Sequence, residues 1–244
     1  QNGTWDTDCD VRPRWEDGTP AHTIKKFGVV NRYDLSKEFP ILTLRKTFIK
    51  SAIDELLWIW QKKSNNIHDL SSHVWDSWAD ENGSIGKAYG YQLGVKHHYK
   101  EGDMDQVDRV LYDLKHNPAS RRILTNIYVH QDLSEMALYP CAYSMTFNVT
   151  GKKLNAILNQ RSQDMLAANI WNVCQYSALV CMFAQVSGLE PGEFVHVIAD
   201  AHIYDRHVAI VKELIEREPY DAPEFIMDKS IDDFYKFTKD SFSL

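Results

Sequence analysis

Pro140-Cys141 stands about twenty residues ahead of the polar run Asn159-Gln160-Arg161-Ser162-Gln163-Asp164, and Trp171-Asn172 follows soon after. Together these residues offer a thiol, a guanidinium and hydroxyl that can hold a phosphate, and an amide that can read the edge of a base. A thiolate beside such groups can add to an electron-poor ring and activate it, which is nucleotide-modifying chemistry. An isolated Cys is more often a small buried hydrophobe. The preceding proline sets Cys141 apart: it removes a backbone donor and fixes φ, which places the Cys at a loop-to-strand junction where its side chain can be exposed.

The neighbouring residues predict how the site is assembled. Tyr143, Met145, Phe147 and Val149 alternate with polar positions, Thr150-Gly151 supplies a turn, and Leu154, Ala156 and Leu158 resume the period of two. This pattern is a β-hairpin. Cys141 enters one strand and Arg161-Ser162 leaves the other, so the two ends lie side by side and Arg161 can reach the thiol. A guanidinium there is expected to lower the thiol pKa. Phe48, Ile49, Ala52, Ile53, Leu56, Leu57 and Trp60 recur at helical spacing, with Glu55 inside that helix among apolar neighbours. A second helix is predicted from about Asp105 to Lys115, stopping before Asn117-Pro118. Arg122 to Val129 reads as a strand, Trp171 to Ser187 as a buried helix ending at Gly188, Phe194 to Ile198 as a strand, and Val208 to Ile215 as a helix. Interspersed helices and strands with an antiparallel hairpin predict a single-domain α/β (α+β) fold over residues 1–244.

Composition agrees with this organisation. A chain of 244 residues with 44% hydrophobic and 25% charged content can bury one large core, and this balance excludes a disordered chain. No stretch approaches the roughly 18 apolar residues of a membrane span, and Gln1 to Asp6 shows no signal-peptide pattern, so a cytoplasmic location without membrane association is expected. Cys9, Cys141, Cys174 and Cys181 show no metal-ligand spacing, so free thiols and no metal are expected. A net charge of −7 argues against a broad nucleic-acid surface and against DNA as a partner.

From Arg12 through Asp54-Glu55-Leu56-Leu57-Trp58, Trp75-Asp76-Ser77-Trp78, Ala88-Tyr89-Gly90, Arg121-Arg122, Leu138-Tyr139-Pro140-Cys141, Gln160-Arg161-Ser162-Gln163-Asp164 and Asn172 to Asp200-Ala201-His202-Ile203-Tyr204, the chain resembles the folate-dependent thymidylate synthase family. The resemblance implies a mixed sheet flanked by helices, its outer face packed in a homodimer. It also implies reductive methylation of dUMP to dTMP, with 5,10-methylenetetrahydrofolate as one-carbon and hydride donor and dihydrofolate as product. Cys141 would be the nucleophile, with Glu55 and Tyr89 handling a proton through ordered water. Asn172 can accept from a ring N–H and donate to a carbonyl, which suits uracil; cytosine presents the opposite pattern. Arg12, Arg161 and Ser162 would hold the phosphate, with Arg121 and Arg122 reaching across from the partner subunit. His202 and Tyr204 would hold the sugar hydroxyl. Trp75, Trp78 and Trp171 offer aromatic faces to a flat pterin, and Asp164 a carboxylate to its ring donors, Asp164 counting also among the catalytic and nucleotide-binding residues.

The sequence departs from the family pattern in places. Ala142 follows the nucleophile where His is frequent. Ala167-Ala168-Asn169-Ile170-Trp171-Asn172 stands for Leu-Gly-x-Pro-Phe-Asn, which alters the walls around base and folate, and Ala199-Asp200 stands for Gly-Asp. The start at Gln1 and the stop at Asp240-Ser241-Phe242-Ser243-Leu244 predict that the extreme N-terminus and the closing C-terminal tail of the family lie outside this sequence. Two other readings stand beside this one: a pyrimidine nucleotide hydroxymethylase, in which water captures the methylene intermediate, and a noncatalytic nucleotide- or RNA-binding protein.

Overall fold

A computed structural model describes residues 2–244. Strands β1 (Thr4–Trp5) and β2 (Thr23–Asp34) lead into helix α1 (Ile49–Trp60) and the short helix α2 (Gly90–Gly94). The small hairpin of β3 (His97–Tyr99) and β4 (Gly102–Met104) precedes helix α3 (Gln106–His116). Next come β5 (Leu124–Asn126), β6 (Ala142–Thr150), β7 (Lys153–Gln160), β8 (Gln163–Asp164), helix α4 (Asn169–Val186), β9 (Glu190–Tyr204) and helix α5 (Val208–Ile215). A final two-stranded sheet joins β10 (Ile226–Met227) to β11 (Phe242–Ser243).

The main sheet runs β1-β2-β9-β7-β6-β5, with β8 also paired to β9. Only the β9 pairings with β7 and β8 are parallel, so the sheet is mixed, as the family resemblance implies. Its inner face carries Leu158, Phe147, Phe194 and Ile198, all buried, and α4 packs over this face with α1 beyond it. Helix α4 is apolar nearly all round and almost wholly buried, the state expected of a central helix. It ends in two bonds, Leu189 N–H to Ala184 O and Gly188 N–H to Gln185 O, with Gly188 at φ 69°, a conformation that only glycine adopts without a Cβ penalty. Helix α3 starts where Asp105 caps the amides of Val107 and Asp108, an arrangement worth about 1 kcal/mol.

Three boundaries differ from the sequence reading. The predicted strand 122–129 is paired only over Leu124–Asn126, because the chain then leaves the sheet edge: Ile127 still bonds to Tyr143 O, but Asn126 turns to cap Tyr128. The strand predicted at 194–198 is the middle of the 15-residue β9, whose ends are polar and so escape the apolar pattern. Strand β2 is absent from the prediction; Lys25 and Lys26 are exposed and Gly28 interrupts the alternation at φ 71°. Among the described residues no helix is long and apolar enough to cross a membrane.

Candidate active site

The hairpin places the nucleophile candidate as the sequence predicts. Ala142 pairs with Gln160, a bulge follows between Ala142 and Ser144, and the Arg161 amide donates to Cys141 O at 2.9 Å. The Arg161 guanidinium is fixed by Nε to Pro140 O (2.9 Å) and Nη2 to Tyr139 O (2.7 Å), and this puts Nη2 3.6 Å from Cys141 Sγ. From the other side the Tyr89 hydroxyl accepts the Cys141 backbone N–H at 3.1 Å. Tyr89 itself has φ 45° and ψ −104°, a sparsely populated conformation for a non-glycine residue. Gly90 follows because the backbone of Ser64 lies where a Cβ would stand. The expected lowering of the thiol pKa needs correction. Burial is the largest influence and pushes the Cys141 thiol up, and the opposing pull of Arg161, the Tyr89 hydroxyl and Arg12 is smaller. In the nucleotide-free chain the thiol is the favoured form.

Glu55 points from α1 into the core below this point. Its Oε1 accepts the indole N–H of Trp75 at 2.5 Å, and its Oε2 accepts Gln175 Nε2 at 2.7 Å together with the indole N–H of Trp171. Burial raises the Glu55 pKa, and these three donors only partly offset it. The same site thus holds a thiol and a carboxyl group that are both reluctant to ionise, and for the carboxyl group an upward shift is the direction that suits proton transfer.

Asn172, in the first turn of α4, lies over the end of β7. Its Oδ1 accepts Gln160 Nε2 at 3.2 Å, and its Nδ2 donates to Gln175 Oε1 at 3.1 Å. Gln160 Nε2 donates also to Gln163 Oε1, and Gln160 Oε1 faces His196 Nε2 at 2.7 Å. Gln175 Nε2 donates to Ala52 O at 3.0 Å as well as to Glu55. A continuous chain of hydrogen bonds therefore runs His196, Gln160, Asn172, Gln175, Glu55. His196 is fully buried and its pKa is pushed down to about 4 by that burial. It is neutral at pH 7; a proton on Nε2 is the one that the Gln160 carbonyl can accept, and Nδ1 has no partner among the described residues.

Sequence reasoning missed Gln160, Gln175 and His196 as site residues. Gln175 was visible as a polar residue three positions after Asn172 on one face of an apolar helix, and His196 as the polar residue among the apolar neighbours of β9. Several predicted residues do gather at the rim. His202 is buried with Nδ1 2.9 Å from Asp200 Oδ1, and its ring meets Tyr204 edge-on at 5.3 Å. Trp15 packs on Tyr204 at 5.8 Å and donates to Asp205, which anchors the loop bearing the exposed Arg12. Asp164 Oδ1 accepts the amides of Leu166 and Ala167 at 2.9 and 3.0 Å and so shapes the turn into α4. Ser162 is half-buried beside Arg161. Of the three candidate tryptophans, Trp75 and Trp171 have their N–H groups on Glu55, and Trp75 packs against Trp58 and Tyr89; Trp78 is the exposed one, at 38%. Arg121 and Arg122 are exposed just ahead of the edge strand β5, and among the described residues no side-chain bond joins them to the rest of the site.

The family model described as thymidylate synthase matches residues 1–244. Thymidylate synthases of Bacillus subtilis subsp. natto and of Bacillus phage phi3T are each 47% identical to this chain over 248 residues, covering 100% of this chain and 88% of the relative. The solved structure titled thermostable thymidylate synthase A from Bacillus subtilis superposes with a TM-score of 0.96 at 45% identity, covering 99% of this chain and 88% of that one. With a thiol, a buried carboxyl group and the Asn172 amide placed as described, and with likeness along its full length, this chain belongs to the thymidylate synthase family.

Proposed function

We propose that the chain converts dUMP and 5,10-methylenetetrahydrofolate to dTMP and dihydrofolate. The observation that carries this reading is the convergence of Cys141, with Arg161 Nη2 3.6 Å away, and the Asn172-Gln175-Glu55 chain on one site. Carbon 6 of uracil is electron-poor. Attack by Cys141 Sγ forms a C–S bond and moves the ring electrons into an enolate at carbons 4 and 5, which makes carbon 5 nucleophilic. Asn172 steadies that charge through its N–H to the carbon 4 carbonyl. Carbon 5 then attacks the one-carbon unit of the second substrate. A base acting through water held near Glu55 and Tyr89 removes the carbon 5 proton, elimination expels the folate, and its hydride reduces the exocyclic methylene to methyl as Cys141 leaves.

The raised thiol pKa of Cys141 fits this order of events. Deprotonation of Cys141 is needed only once the electrophile is in place, and Arg161 beside the sulfur favours the thiolate at that point. Arg161 spends Nε and Nη2 on the backbone and keeps Nη1 for a phosphate oxygen, with Ser162 beside it. Asp200-linked His202 and Tyr204 would hold the sugar hydroxyl. On the folate side, a cavity of about 850 Å³ lined by Ile41, Arg45, Lys46 and Arg217 is joined to the 164–168 turn by Arg45 Nη2 donating to Leu166 O at 2.5 Å. Buried Arg45 Nε and Thr47 Oγ1 have no partner there. Cations and unpaired donors suit a carboxylated tail, and exposed Trp78 suits a flat ring.

The same reading makes the enzyme a homodimer. The outer sheet face exposes Val30 (53%) and Ile157 along with half-buried Val197, Phe27 on β2 is 87% exposed, and Leu124 stands free on β5. An apolar area of that extent on a sheet is typical of a covered interface. A partner across it would bring its own copies of Arg121 and Arg122 to the phosphate. Four free thiols fit a reducing, cytoplasmic setting. The test is product analysis by mass after incubation with dUMP and methylenetetrahydrofolate. A methyl product with stoichiometric dihydrofolate is expected; a hydroxymethyl product would assign water, not hydride, to the last step.

A further inference from the structure

An asparagine amide carries two N–H donors and two carbonyl lone pairs. Within the chain Asn172 spends one donor on Gln175 Oε1 and one lone pair on Gln160 Nε2, which leaves one N–H and one lone pair for a base. In that orientation the free pair matches uracil. A half-turn of the amide about its last bond would exchange nitrogen and oxygen and match cytosine, which needs a donor to its ring nitrogen and an acceptor for its amino group. Asparagine alone therefore does not choose between the bases. The choice lies with whatever prevents the half-turn.

The two neighbours of Asn172 differ in how firmly they do so. Gln160 is held by His196, and a neutral imidazole can move its proton to the unpartnered Nδ1, turning Nε2 into an acceptor and allowing Gln160 to reverse. The Gln175 end has no such freedom. Gln175 Nε2 points both N–H groups at oxygens, Glu55 Oε2 at 2.7 Å and the backbone carbonyl of Ala52 at 3.0 Å. A main-chain carbonyl accepts and never donates, so Gln175 cannot reverse whatever the charge on Glu55. Its Oε1 is thereby fixed toward Asn172, and a reversed Asn172 would bring two carbonyl oxygens together in a buried site.

We propose that Gln175 is the positioning residue that sets base specificity, by locking the Asn172 amide in the orientation that reads uracil and excluding the one that reads cytosine. The proposal rests on Asn172 being the base reader. The test compares turnover efficiency for tritium release from carbon 5 of dUMP and of dCMP, with methylenetetrahydrofolate, in the parent enzyme and in Gln175→Met, which keeps the volume and removes both bonds. Gln175→Ser, smaller and tolerant of a filling water, serves if the first variant fails to fold, and thermal melting identifies the folded one. The dUMP-to-dCMP ratio is expected to fall about tenfold to hundredfold. Damage to Glu55 chemistry or to the fold lowers both rates alike and cancels in the ratio, so an unchanged ratio in a folded variant overturns the proposal. Asn172→Ala separates the two levels of the argument. If it collapses the ratio while the Gln175 variants do not, the lock is wrong and the base reader stands; if it leaves the ratio intact, the base reader itself is wrong.

Discussion

Two polar regions of this molecule handle their hydrogen bonds in opposite ways. The buried row from His196 to Glu55 has almost every donor and acceptor engaged before any substrate arrives. At the side proposed for the phosphate Arg12, Arg121 and Arg122 are exposed, and their side chains make no hydrogen bond among the described residues. Reading a base requires a donor and an acceptor in a fixed order, and only prior commitment of the surrounding groups fixes that order. Holding a dianion requires positive charge within reach, and a mobile arginine supplies it at little cost. The proposed chemistry sits where the two meet, at Cys141 and Arg161.

The largest expected effect breaks the meeting point. Cys141→Ser should lower turnover by about a thousandfold or more while dUMP affinity, measured by calorimetry, is largely retained, because phosphate and base contacts do not use the sulfur. An active serine variant would remove Cys141 from the mechanism. A second experiment probes the open region. Arg122→Ala and Cys141→Ala subunits, each impaired alone, should regain activity after mixing, because one site of the heterodimer then collects both lesions and the other none. No recovery after verified subunit exchange, or a monomer in solution, would assign the paired arginines a role outside the site.

Smaller effects sharpen the closed region. Trp171→Phe deletes one donor to Glu55 and should lower turnover about tenfold. Because that donor holds the carboxyl pKa down, its loss should move the acid limb of the pH–rate profile to higher pH; an unmoved limb would separate Trp171 from proton handling. The mildest prediction concerns His196, whose pKa is lowered from 6.5 to about 4. Between those values the unfolded chain binds a proton that the folded one refuses, so stability falls as pH drops through this window. From pH 7.5 to 5 the contribution is about 2 kcal/mol. Urea unfolding at fixed protein concentration should show a smaller acid loss in His196→Phe than in the parent.

The candidates legible from sequence are those that stand out by type: paired arginines on the open side, the Pro-Cys junction where the two regions meet, and from the buried row only Glu55 and the Asn at a helix start. The hairpin and the central helix were legible through their periods. What escaped was whatever depends on three-dimensional neighbours. Gln175 and His196 stand out only as polar residues among apolar neighbours, and their partners are set by the register that puts β7 beside β9 and by α4 packing against α1. The thiol illustrates the same limit. Spacing showed that Arg161 reaches Cys141, but not that the pocket withholds water strongly enough to outweigh it.

The bond from the Cys141 amide to the Tyr89 hydroxyl ties the nucleophile to a distant stretch of chain whose own backbone is under strain at Tyr89. Heat therefore has a shortcut. Relaxation of the turn around Tyr89-Gly90 would release the reactive loop while the sheet and α4 stay intact, and catalytic lifetime at elevated temperature would be set by this local latch rather than by melting of the whole domain.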